Sequence, residues 1–164
     1  MAIKDALLAE LKHESSGTRK ILERVPGDNL TWKPHDKSYT LGRLATHIAQ
    51  IPGWISRIIN HEEFDLAKMQ PAITAESNEQ LMKIFEDALA ANIATLESAS
   101  EDSLNDMWSF RRGEHIFFTL PKKVVLRNMA FNHLVHHRGQ LSVYLRLLNV
   151  PVPGMYGPSA DEML

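Results

Sequence analysis

Apolar residues recur at helical spacing along four stretches of the chain. From residue 3 to residue 25, Ile3, Leu7, Leu11, Thr18, Ile21 and Val25 fall on one stripe, and Pro26-Gly27 predicts its end. A second run, Leu41 to about Asn60, carries Leu44, Ile48, Ile51, Ile55, Ile58 and Ile59 over an arc wider than one stripe, so it should be well buried. Thr40 can cap it, and Pro52 inside it removes a backbone donor, which predicts a bend or an unsatisfied carbonyl near residue 48. Ser77 followed by Gln80 reads as a capping box for a third helix over 78–98, with Phe85, Leu89, Ile93 and Leu96 facing inward. In the fourth stretch Thr119 caps a helix that has Pro121 in its first turn and runs to Asn149, where Pro151 and Pro153 end it.

The connections are longer than tight hairpins. PGDNLTWKPHDKSY, residues 26–39, is rich in turn formers with Trp32 as a packing anchor, and a second connection spans 61–76. Arg112-Gly113, flanked by aromatic residues within the 99–120 segment, predicts a short hairpin or extended flap. The tail is irregular, with Met155 and Tyr156 to pack it. Four amphipathic helices in 164 residues predict one all-α domain, a four-helix bundle spanning 1–164.

Composition narrows the chemistry. The formal net charge of −2 offers no broad attraction for phosphate backbones, so nucleic acid is not an expected partner. No window approaches the ~20 apolar residues of a membrane span, and Lys4, Asp5 and Glu10 interrupt the start before a signal peptide could form, so a cytoplasmic protein is expected. The chain has no cysteine, which leaves imidazoles and carboxylates as metal ligands and excludes a cysteine nucleophile.

Histidine is the unusual residue: there are eight, three of them between positions 133 and 137. Residues four apart share a helix face, so His133 and His137 converge while His136 points about 60° aside. At 100° per residue, the inward stripe of the fourth helix holds Leu126, Met129, Ala130, His133, His137, Gln140, Tyr144 and Leu147, with the two histidines near its centre. Two polar rings in an apolar interior need partners. His47, at the edge of the second helix's apolar arc, is the candidate third group. Three imidazoles would form a partly filled shell with positions open to water or substrate. The plainer alternative is that an HxxxH pair arises by chance and that each ring is a hydrogen-bonded core residue. His136 reads as a packing or supporting residue, and His13, His35, His61 and His115 as surface.

Three further residues are candidates for catalysis. Glu14 interrupts the first helix's stripe at its centre and could orient a ligand histidine or act as a general base, unless the helix rotates it to solvent. Gln140 and Tyr144 share the metal-facing stripe and could touch substrate. Arg138 lies off that face, as a surface charge or dimer contact, and Asn92 breaks an inward-leaning region without an evident role.

LGRLATHIAQIPGW around His47, NHLVHHRGQL from Asn132 to Leu141, the WKPHDKS connection and the tail PVPGMYGPSADE resemble the DinB-like (YfiT-like) metalloenzymes. That resemblance covers essentially the whole chain. It implies an up-down-down-up four-helix bundle, commonly a homodimer, holding nickel, zinc or iron on three histidines that correspond here to His47, His133 and His137. Some proteins of this kind resemble thiol transferases that use low-molecular-weight thiols such as bacillithiol or mycothiol; others resemble maleylpyruvate isomerases. The resemblance therefore implies a metal-dependent thiol transferase, with a hydrolase as its nearest enzymatic competitor. A non-catalytic metal-binding stress protein, or a dimeric interaction module, is the alternative from a different class. Access of solvent to the metal separates them.

Overall fold

A computed structural model describes residues 2–162. The chain runs α1 (Ile3–Glu23), α2 (Leu41–Gln50), α3 (Gly53–Asn60), β1 (Glu63–Asp65), α4 (Asn78–Ser98), β2 (Met107–Arg112), β3 (His115–Pro121) and α5 (Lys122–Leu126). Then come π-helical turns at Arg127–Asn132 and α6 (His133–Leu147).

Side-chain contacts fix the direction of each helix. Lys12 in the middle of α1 pairs with Glu97 at the end of α4, and Arg19 further along α1 with Glu86 further back in α4, so these two helices are antiparallel. Glu10 meets Arg127 and Glu14 meets Arg138, which makes the α5–α6 arm parallel to α1. His47 of α2 touches His133 while Tyr39 touches Tyr144, so α2 runs against α6. The result is an up-down-down-up four-helix bundle, with α2–α3 and α5–α6 each serving as one arm. Its core includes Leu11, Leu22, Leu44, Ile48, Ile55, Leu81, Phe85, Leu96, Leu134 and Leu141. Among the described residues no helix is long and apolar enough to cross a membrane.

Helix ends follow the capping residues. Thr40 Oγ1 accepts the Arg43 N–H at 3.3 Å and Ser77 Oγ the Gln80 N–H at 3.1 Å. Gln80 Oε1 reaches back to the Glu76 N–H at 2.7 Å, one residue earlier than a standard capping box. Pro52 does more than bend the second arm. It splits the arm into α2 and α3, and the Ile51 N–H spans both the His47 and Ile48 carbonyls at 3.0 and 3.3 Å, so residue 48 is not left unsatisfied.

The break explains Asn92. Early in α3 the Ser56 N–H donates to Asn92 Oδ1 of α4 at 2.7 Å, and the Ser56 hydroxyl donates to the same oxygen at 2.6 Å. Asn92 thus satisfies a donor that the interrupted helix leaves over. At the other end of α3, the buried Lys122 donates Nζ–H to the Ile59 carbonyl at 2.9 Å.

A small sheet supplements the bundle. The hairpin expected in the 99–120 segment is β2–β3, and β1, which the pattern did not predict, pairs with β2 in parallel. Trp108 is wholly buried, with the Phe110 ring stacked on it and the Phe118 ring tilted against it. Thr119 and Pro121 correct the expected start of the fourth helix: both belong to β3, Thr119 Oγ1 lies 2.8 Å from Ser109 Oγ, and the helix begins at Lys122. Strand pairing competes for residues whose capping propensity pointed to helix.

The expected inward stripe of the fourth helix also needs correction. Its buried face past the π turns is Leu134, Arg138, Leu141 and Leu145, while Gln140 and Leu147 are exposed and His133 and His137 are only half-buried. A π turn takes more residues than an α turn, so a uniform 100° per residue misplaces everything beyond it.

Candidate metal centre

The three predicted histidines come together. His47 stands in the last turn of α2, and His133 and His137 occupy the first two turns of α6, where the antiparallel arms bring them face to face. One nitrogen from each ring lies within 4.8 Å of the other two, and no further histidine, aspartate or glutamate among the described residues joins them. His133 Nε2 is 3.2 Å from His47 Nε2 and 2.8 Å from His137 Nε2.

The outer nitrogens decide which protons are present. His133 Nδ1 donates to the Met129 carbonyl at 3.3 Å and His137 Nδ1 to Gln140 Oε1 at 2.7 Å. An oxygen of this kind only accepts, so in both rings Nδ1 carries the hydrogen and Nε2 is a bare lone pair. Lone pairs at that separation repel unless a proton or a cation lies between them. Nitrogens bound to zinc at about 2.0–2.1 Å in a tetrahedron sit about 3.3 Å apart, near the 3.2 Å between His47 and His133 and wider than the 2.8 Å between His133 and His137. The donor set therefore fits a divalent transition metal.

Electrostatics favours the neutral rings that coordination requires. Burial, followed by the charges of His137, His133 and Arg43, pushes the His47 pKa down to about 4. Burial also pushes His133 and His137 below the ordinary imidazole value, although the Met129 and Gln140 hydrogen bonds oppose it.

The family model for the DinB family matches residues 1–163. The chain belongs to the DinB family. It is 26% identical over 162 residues to the uncharacterized protein YrdA of Bacillus subtilis (strain 168), across 96% of this chain and 90% of that one. Two crystal structures share the DinB fold. A DinB-like protein from Bacillus cereus ATCC 10987 superposes with a TM-score of 0.72 at 23% identity, covering 93% of this chain and 97% of that one. The DinB-like protein YjoA of Bacillus subtilis gives 0.72 at 19% identity, covering 92% and 97%.

The other candidates of this DinB protein divide between the site and the core. Gln140 is exposed and orients His137; Tyr144 is half-buried and donates its hydroxyl to the Tyr39 carbonyl at 3.1 Å. His136 is exposed, its ring 4.9 Å from that of His137. His13, His35, His61 and His115 are exposed. Glu14 is buried, but its carboxylate faces Arg138 and the Tyr156 hydroxyl, which donates to it at 2.9 Å, and makes no hydrogen bond to a ligand histidine.

Arg138 is the largest departure from the expectation. At 2% exposure it is a core residue, not a surface charge, and it also donates to the Glu14 carbonyl at 3.0 Å and to Thr18 Oγ1 at 3.2 Å. The same π turns that move the histidines to the shoulder of the buried face bring Arg138 onto it. Arg43, one turn before His47, was not singled out by spacing. Its signal would have been its position four residues from a candidate ligand.

Proposed function

We propose that the chain is a metal-dependent enzyme in which His47, His133 and His137 hold a divalent transition metal within reach of a small molecule, foremost a low-molecular-weight thiol. One observation carries this reading: three half-buried rings direct ring nitrogens at a common point, and no fourth histidine or carboxylate among the described residues closes the shell. Imidazole donors suit zinc, nickel and iron. When bound, such an ion lowers the proton affinity of a thiol or water that joins it.

The chain's own residues supply position. The Met129 carbonyl and Gln140 fix the ring planes of His133 and His137, and the three neutral rings cancel none of the ion's charge. With no cysteine in the chain, a sulfur nucleophile has to arrive as substrate. A water-activating hydrolase would want a carboxylate base beside the triad, and Glu14 is committed elsewhere. That observation favours the thiol over water.

The test is elemental analysis of the purified protein, followed by thiol consumption with 1-chloro-2,4-dinitrobenzene across a panel of small thiols. Close to one equivalent of metal and a thiol conjugation that stops on chelation and in His137→Ala are expected. A metal-free preparation that cannot be loaded, or a loaded one that accelerates no thiol, would overturn the proposal.

A further inference from the structure

Arg43 lies one helical turn before His47 on α2, so the two side chains leave the same face of that helix. Its guanidinium carbon sits 4.4 Å from the centre of the Tyr39 ring. Tyr39 is tied down in turn: its carbonyl accepts the Tyr144 hydroxyl of α6, and the Tyr144 ring packs edge-on to Trp32 at 5.7 Å between centres. The stack thus fastens Arg43 to the same two helices that carry the triad, and stacking on a ring face leaves the guanidinium edge free to donate.

Arg43 differs from most arginines of this chain in its charge environment. Arg19, Arg111, Arg127, Arg138 and Arg146 each hold a carboxylate. Among the described residues no carboxylate lies within 4.0 Å of Arg43, whose side chain is exposed. The triad is likewise without an acidic member. Three uncharged ligands, a divalent ion and an unpaired guanidinium make a locally positive site with no built-in counter-charge.

We propose that Arg43 is a specificity determinant of the triad site, receiving the oxyanion group of a small substrate whose other end reaches the histidines. The planar fork of a guanidinium matches such a group through paired hydrogen bonds, which a lysine cannot reproduce. This inference rests on the metal-and-thiol reading above and narrows its substrate class to anionic thiols.

The test uses cobalt(II)-loaded protein, whose visible d–d band is followed during titration with 2-mercaptoethanesulfonate or 2-mercaptoethanol. Sulfonate coordinates metals poorly, so a preference for it reports charge recognition and not chelation. The wild type should bind the sulfonate about fivefold more tightly, the scale of a solvent-exposed ion pair. Arg43→Met should bring the two thiols to parity, and Arg43→Lys should retain part of the preference. Equal affinities in the wild type, or a preference that survives in Arg43→Met, would overturn the role of Arg43 alone. A band that neither thiol moves would overturn the thiol reading as well, and failure of cobalt to bind would overturn the metal centre itself.

Discussion

Gln140 holds the outer nitrogen of His137 at 2.7 Å, from one turn further along α6. Such a contact sets the tautomer and the ring plane, so it acts on metal affinity without touching the metal. We expect Gln140→Leu to weaken binding of zinc by about 10- to 100-fold while leaving the apo protein's melt nearly unchanged. Competition with a chromogenic chelator measures the first and thermal circular dichroism the second. A variant that binds zinc as the wild type does would show that the contact is incidental.

Metal should stabilise the fold without being required for it. The bundle buries a core that includes Leu11, Leu22, Ile48, Phe85, Leu134 and Leu141, and a chain of this length should fold on such a core without the ion. Ion at 100 times its dissociation constant adds ~2.7 kcal/mol by mass action, which should raise the melting temperature of the wild type and not of His137→Ala. Loss of helical signal on chelation would instead show a structural metal.

Acid should act on the apo protein through the same rings. All three are held below the ordinary 6.5, with His47 down to about 4, so the unfolded chain binds protons more readily than the folded one. Their contribution is intact above pH 6.5 and is lost as the pH falls from there toward about 4. Melts of apo wild type and His47→Phe between pH 7.5 and 4.5 check this. The variant should lose less stability across that window, and parallel curves would contradict the assignment.

The helices were legible because core and solvent impose one period on Leu7, Leu11 and Ile21, or on Phe85, Leu89 and Leu96, and because Thr40 and Ser77 mark their starts with local chemistry. The triad was legible for a related reason: spacing of four places His133 beside His137 whatever the helix's rotation, and His47 stands at the edge of an apolar arc. What spacing could not show is rotation itself. The π turns at Arg127–Asn132 carry no marker in residue type, yet they decide that Arg138 is buried and Gln140 exposed. Asn92 and Lys122 were hidden differently, since their partners, Ser56 and the Ile59 carbonyl, lie 36 and 63 positions away. Arg43 was overlooked because its meaning depends on the absence of a partner, which only three dimensions reveal.

Glu14 and Arg138 should behave as one energetic unit. Their side chains are 10% and 3% exposed, and Arg138 spends its remaining donors on Thr18, the Glu14 carbonyl and Tyr156 of the tail. Removing one partner leaves the other charged, buried and unpaired, so Glu14→Met or Arg138→Met should each cost about 3–5 kcal/mol. The paired replacement Glu14→Met with Arg138→Met removes both charges and should cost well under the sum of the single losses, because apolar side chains of similar volume fill the space without a desolvation cost. Tyr156→Phe, which deletes only the hydroxyl bridging the pair, should cost about 1–2 kcal/mol. Urea unfolding of the four variants and the wild type gives the coupling directly. Strict additivity of the two single substitutions would mean that each residue is stabilised by its other contacts, and that the ion pair is not what joins α1, α6 and the tail.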